Sequence, residues 1–197
     1  MLQYRQRMAR PTHDTSTILD AAGRILGEGG PAKVTMAAVI REAGVPSGSL
    51  YYRFPDRPAL LAALWNGAIE SYHRDAYPLF EGDPVDAAAA LAAYTVRWCQ
   101  AEPAHAHALL AGRARFEAEA WPGTARDTEA TESARWNDAI RGLTRRVGAE
   151  TSVSTTELLL VVVDLPYAAV RRYLSAGRPI PADLADVVAG IVRTSLR

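Results

Sequence analysis

Residues 41–61 read REAGVPSGSLYYRFPDRPALL. Pro46, Ser47, Gly48 and Ser49 are too small to fill a core, yet they lead directly into Tyr51, Tyr52 and Arg53. Just upstream, Thr35 is placed to cap a short helix over Met36–Ala43 whose apolar face is Val39 and Ile40. Gly44 closes that helix, because glycine enters the left-handed conformation at little cost. A second helix over 47–54 follows the tight Gly44-Val45-Pro46 turn. Two short helices about such a turn are the layout of a helix-turn-helix. In that motif the second helix enters the major groove amino end first. Small residues there let the backbone approach base edges and phosphates, and the positive helix end favours anions. Tyr51, Tyr52 and Arg53 then supply donors to flanking phosphates. The plainer reading is a helical hairpin with its aromatics packed inward. Leu50 and Phe54, four residues apart, suit an inward face. Tyr51 lies off that stripe, and a core role does not explain Ser47-Gly48-Ser49.

The helical pattern continues in both directions. Upstream, Ile18, Ala22 and Ile25 recur at helical spacing behind a cap at Asp14 or Thr15, and Gly27, Gly29, Gly30 and Pro31 end the run. Downstream, Asp56 caps a helix to about Tyr77 that carries Leu60, Leu61, Leu64, Trp65 and Ile69, with Pro58 tolerated in its first turn. Further helices are predicted over 85–100, 103–119 and 124–147, punctuated by Pro103 and Trp121-Pro122-Gly123. Ser154-x-x-Glu157 is a capping box that opens a strongly apolar helix to about Ser175. Pro181 begins a last helix to Arg197. No segment alternates in the manner of a strand, so the expected fold class is all-α.

Composition bounds the function. The chain has 197 residues, 49% hydrophobic and 22% charged, with zero formal net charge, as an ordinary globular protein has. The distribution is uneven: residues 1–58 hold 8 Lys+Arg against 5 Asp+Glu, and the remainder holds 14 against 17. A basic amino-terminal third suits a polyanion. Residues 1–12 form a basic arm with Arg5, Arg7 and Arg10, read either as a solvated tail or as a minor-groove arm. Cys99 is the single cysteine, which excludes an intrachain disulfide and suits a reducing compartment. The first residues lack the apolar core of a signal peptide. The apolar run 158–163 is cut by Asp164 and Pro166, too short to span a bilayer. The expectation is a cytoplasmic protein with no membrane partner.

Residues 15–61 resemble the amino-terminal domain of the TetR family of bacterial transcriptional regulators. The marks are Ile18-Leu19-x-Ala21-Ala22, Val34-Thr35-Met36, Arg41-Glu42-Ala43-Gly44-Val45, Gly48-Ser49-Leu50-Tyr51 with Phe54, and Asp56-Arg57-x-x-Leu60-Leu61. Two positions depart from the commonest pattern. Pro46 replaces a serine cap, which passes the cap role to Ser47. Arg57 replaces a lysine, keeping the charge and changing its geometry.

The resemblance implies a helix-turn-helix domain over 13–57 and a larger effector-binding and dimerisation bundle over 58–197. It implies a homodimer that places two recognition helices in successive major grooves of a palindromic operator. Thr35, Ser47, Gly48, Ser49, Tyr51, Tyr52, Arg53 and Arg57 are the implied DNA contacts. It pairs the last two helices with their copies, and Leu158, Leu159, Val162, Val163, Ala169, Val170, Leu184, Val187, Val188, Ile191 and Val192 supply the apolar faces. It also implies a small-molecule effector that favours the DNA-incompetent spacing of a repressor. The candidate aromatic lining is Trp65, Tyr94, Trp98, Phe116, Trp136 and Tyr167; Arg97, His107, Arg113 and Asp164 are candidate polar anchors. Asp164 stands out, because it interrupts an apolar helix.

Other functional classes find less support. Glu70-x-x-His73 and Glu102-x-x-His105 repeat the Glu-x-x-His element of di-iron bundles. Such bundles need further inward carboxylates, whereas Glu102 precedes Pro103 in a loop and Glu70 and His73 share a charged face. Cys99 beside Trp98 reads as a buried, inert thiol. The sequence therefore assigns no catalytic residue, no metal and no cofactor. A helical ligand-binding or scaffold dimer without DNA affinity is the other alternative, and the intact 35–57 stretch argues against it.

Overall fold

A computed structural model describes residues 15–197; the arm with Arg5, Arg7 and Arg10, and the cap candidate Asp14, lie outside the described residues. Among the described residues there are helices and turns and no strand.

Helix α1 (Thr15–Gly29) buries Ile18, Ala21, Ala22 and Leu26. In α2 (Met36–Ala43) the Thr35 hydroxyl accepts the Ala38 N–H at 3.1 Å, and Gly44 ends the helix at φ 64°. Pro46 occupies the cap position of α3 (Ser47–Arg53) without a side-chain cap. This corrects the expectation for Ser47, which lies inside the first turn: the proline's φ of −59° already sets the entry. Asp56 caps α4 (Arg57–Ala76) by accepting the Ala59 N–H, and Asp83 caps α5 (Pro84–Ala101) through Val85 and Asp86.

Helix α6 (Pro103–Ala111) is shorter than the predicted 103–119. Gly112 leaves helical space at φ 83°, and two short 3-10 turns follow, Arg113–Phe116 and Ala118–Ala120. Between them Glu117 adopts φ 56°, the positive-φ non-glycine among the described residues. These reversals drive Phe116 inward against Trp65, with ring centroids 5.3 Å apart.

Helix α7 (Gly123–Glu150) crosses the molecule. The capping box of Ser154 and Glu157 then opens α8 (Thr155–Leu159). Five residues, Leu160–Asp164, form a π-helical turn before α9 (Leu165–Leu174). Pro166 explains the wide turn: its ring would meet the Val162 carbonyl in a regular helix, and its missing N–H leaves that carbonyl unpaired. Helix α10 (Leu184–Ser195) starts three residues after the predicted Pro181.

Apolar side chains gather into two cores. One joins α1, α2 and α3 to the first half of α4 and to Phe116 and Trp121. The other centres on alanine-rich α5, whose Ala88 and Ala92 let α10 pack closely through Val188, Val192 and Leu196.

Candidate functional site

The opening segment folds with its two kinds of residue on opposite faces. Leu50 is fully buried and Phe54 nearly so. Ser47 and Gly48 are exposed and Ser49 is half-buried. Tyr51 is 49% exposed and Tyr52 88%. A Cβ built on Gly48 would meet nothing within 4 Å, so no neighbour within the chain demands a small residue there. Thr35 lies exposed at the start of α2. Together these residues form an outward surface of hydroxyls, backbone and aromatic edges.

The two arginines expected on this surface are partly engaged inside the protein. The Arg53 guanidinium donates to the Ser49 carbonyl at 3.0 Å and to the Thr15 hydroxyl at 3.2 Å, tying the end of α3 to α1. Arg57 donates to the carbonyls of Val34 (2.6 Å) and Pro31 (2.8 Å) and to the Glu117 carboxylate. The structure therefore engages the Arg57 guanidinium with acceptors inside the chain. Its fork matches three acceptors, two in the Pro31–Val34 turn and one at Glu117.

A separate cavity of about 200 Å³ lies within the second core. Tyr72 of α4, Leu91, Thr95, Trp98 and Cys99 of α5, and Leu109 and Leu110 of α6 border it on one side. Trp136 and Ile140 of α7, and Val162, Val163, Tyr167 and Val170 of the π turn and α9, complete it. Aromatic edges organise the wall: Tyr72 meets Trp98 at 5.1 Å and Trp136 at 5.4 Å, both edge-on. Tyr72 and Thr95 share a 2.8 Å hydrogen bond. Burial pushes the Tyr72 phenol up, against the smaller opposing effect of that bond, and pushes the Cys99 thiol up to about 12. Both stay protonated at neutral pH.

Of the candidate lining residues, Trp98, Trp136 and Tyr167 border this cavity. The others lie elsewhere. Trp65 and Phe116 belong to the first core. Tyr94 stands one layer back, donating to the Tyr72 carbonyl at 2.9 Å. His107 turns its ring to the Pro103 carbonyl of its own helix. Arg113 is held by Glu129 at 3.4 Å, and its guanidinium lies 5.5 Å from the Trp121 ring. Arg97 pairs with Asp186 of α10 at 2.9 Å. Asp164 is exposed at the end of the π turn, whose buried position is taken by Val162. Tyr72, Thr95 and Cys99 were missed. The i, i+4 spacing of Thr95 and Cys99 beside Leu91 was the available signal.

Behind Trp136 lies a second polar group. The His73 ring stacks on Trp136 (4.4 Å, 6°) and meets the Glu132 carboxylate at 3.3 Å. Burial holds the imidazole below its ordinary pKa, outweighing Glu132, which acts in the opposite sense. Glu70 instead pairs with Arg74, and no group of three or more His, Cys, Asp or Glu among the described residues is arranged to hold a metal ion. No helix among them is long and apolar enough to cross a membrane.

On the surface, Leu160 (56% exposed), Val163 and Tyr167 of the π turn and α9 are exposed, as are Val187 (50% exposed) and Ile191 of α10. They are a large apolar set that the described residues leave uncovered.

Residues 18–64 match the family described as bacterial regulatory proteins, tetR family. No curated protein matches the chain. Among solved structures, the chain is similar to the TetR family transcriptional regulator PfmR from Thermus thermophilus. That likeness has 16% identity, 91% of this chain and 94% of that one covered, and a TM-score of 0.71. The regulator FadR from Bacillus subtilis, solved in complex with stearoyl-CoA, matches at 13% identity over 93% of this chain and 100% of that one, TM-score 0.66. The multidrug binding protein EbrR, complexed with ethidium, matches at 22% identity over 96% and 100%, TM-score 0.57. At these identities the likeness is one of fold.

Proposed function

We propose that this chain, whose residues 18–64 match the family described as bacterial regulatory proteins, tetR family, is a ligand-responsive repressor of transcription. It binds a palindromic operator as a cytoplasmic homodimer and leaves it when a small molecule enters the cavity beneath Trp98 and Trp136. Residues 13–57 hold the DNA and 58–197 hold the effector and the second subunit. The chain's role is binding, with no catalytic step.

The observation that carries the reading is the two-faced α3: Leu50 and Phe54 inside, Ser47, Gly48, Tyr51 and Tyr52 outside. Ser47 and Ser49 are assigned to base edges, and Thr35, Tyr51 and Tyr52 to phosphates. Arg53 lies at the rim. Dimerisation is supported by the uncovered set Leu160, Val163, Tyr167, Val187 and Ile191, self-complementary in a two-fold four-helix arrangement. Such a dimer spaces its recognition helices by about 34–36 Å, one turn of DNA. Relatives of the same fold are described with stearoyl-CoA and with ethidium, which supports an effector role for the cavity.

The test is a gel shift with the DNA upstream of the protein's own gene at several salt concentrations. A specific complex that weakens steeply with salt is expected. Tyr51→Ala is expected to weaken it about tenfold while helix content and molecular size stay unchanged. Undiminished binding by Tyr51→Ala overturns the assignment of α3. A scaffold dimer without DNA affinity shows no salt-sensitive specific complex at all.

A further inference from the structure

Resting on the reading of the cavity as the effector site, we propose that its ligand is a compact, uncharged, largely apolar molecule with one hydroxyl, of the alkylphenol or aromatic-alcohol class.

Size comes first. The cavity measures about 200 Å³. A dry apolar cavity of about 150 Å³ in another protein accommodates benzene, so this one suits a ring with a short substituent. Charge comes second. Among the described residues, no Asp, Glu, Lys, Arg or His borders the cavity. An ion drawn against this lining loses part of its hydration and finds no counter-charge there, which is costly. Cys99 supplies none either, since burial keeps its thiol protonated.

Polarity comes third, and it has a direction. Thr95 donates its hydroxyl hydrogen to the Leu91 carbonyl one turn back, at 3.1 Å. Thr95 Oγ1 is then the acceptor in its 2.8 Å bond with Tyr72, whose hydrogen is thereby spent. Tyr72 Oη keeps its lone pairs and offers the cavity an acceptor. Trp136 on α7 and Tyr167 on α9, which carry an indole N–H and a phenol, border the same space. A ligand hydroxyl both donates and accepts, so it satisfies Tyr72 and one of these donors together. An ether or a ketone lacks the proton that Tyr72 requires.

The test uses the full-length protein without DNA and four probes of similar size: 4-ethylphenol, 4-ethylanisole, 4-ethylbenzoate and phenyltrimethylammonium. Binding is read by calorimetry and by quenching of tryptophan fluorescence, since Trp98 and Trp136 stand in the wall. Saturable binding of 4-ethylphenol is expected, with the benzoate and the ammonium ion at least tenfold weaker. Tyr72→Phe, checked for unchanged helix content, is expected to weaken the phenol about fivefold to tenfold and to leave the anisole within twofold. The proposal is overturned if either ion binds as tightly as the phenol. It is equally overturned if Tyr72→Phe weakens phenol and anisole alike, or if the phenol does not bind. Release of DNA is scored separately: a phenol that binds with these preferences but leaves the operator complex intact overturns the repressor-release reading and not the chemistry of the cavity.

Discussion

The Arg57 guanidinium at the head of α4 donates to the Glu117 carboxylate, 60 residues away in the chain, while its other nitrogens hold the Pro31 and Val34 carbonyls. One side chain thus fastens the support of the helix-turn-helix to the loop that leaves α6. Lysine carries the same charge on a single nitrogen and cannot span these acceptors. Arg57→Lys is expected to lower stability by about 1–3 kcal/mol, read from chemical unfolding.

Glu117 itself sits at φ 56°, where glycine is at ease and other residues are not. Glu117→Gly and Glu117→Ala both delete the carboxylate, but only glycine relieves the backbone. The glycine variant is expected to be more stable than the alanine variant by roughly 1 kcal/mol or more, measured in the same unfolding series.

The apolar set on α8 to α10 makes a prediction about assembly. Leu160→Glu and Val187→Glu each place a charge at the centre of the proposed seam. Light scattering is expected to show a monomer for either variant, with helix content retained because both positions are exposed within the chain. A variant that remains dimeric removes this seam from the interface.

His73 predicts a pH response. Burial holds its pKa in the folded chain below the ordinary 6.5. The unfolded chain therefore takes up the proton first as pH falls, so stability is full above about 6.5 and declines as pH drops through it toward the folded value. Glu132 facing the ring moderates the loss, and Arg135 adds to it. The fall in Tm from pH 7.5 to 5.5 is expected to be larger in wild type than in His73→Gln.

Cys99 borders the cavity with its pKa pushed up to about 12, so almost none of it is thiolate at neutral pH. Alkylation by iodoacetamide at pH 7.5 is expected to run far below the rate for unfolded chain, followed by mass spectrometry. An effector seated against it slows the reaction further.

Much of this was legible in local chemistry. Thr35, Gly44, Asp56 and the Ser154–Glu157 box are side-chain devices that act within a few residues, so the ends of α2, α4 and α8 could be read directly. The outward character of Ser47, Gly48 and Tyr51 followed from the stripe of Leu50 and Phe54. What could not be read depends on distant packing. Gly112 and Glu117 break the predicted 103–119 helix because Phe116 must reach Trp65, a partner about fifty residues away. The aromatics expected around the ligand divide between two cores for the same reason, since helical spacing reports that Trp65 and Trp98 face inward but not which interior each faces. The exposure of Asp164 depends on the π turn, which an acidic residue within an apolar run does not announce.

Val163 and Tyr167 form part of the cavity wall and are also exposed on the uncovered flank. In the proposed regulator, a change at either position alters small-molecule preference and subunit pairing in one stroke. Drift of that regulator toward a new inducer through these two residues is filtered by whether it still recognises its own twin, which leaves Leu109, Leu110 and Ile140 as the walls open to independent variation.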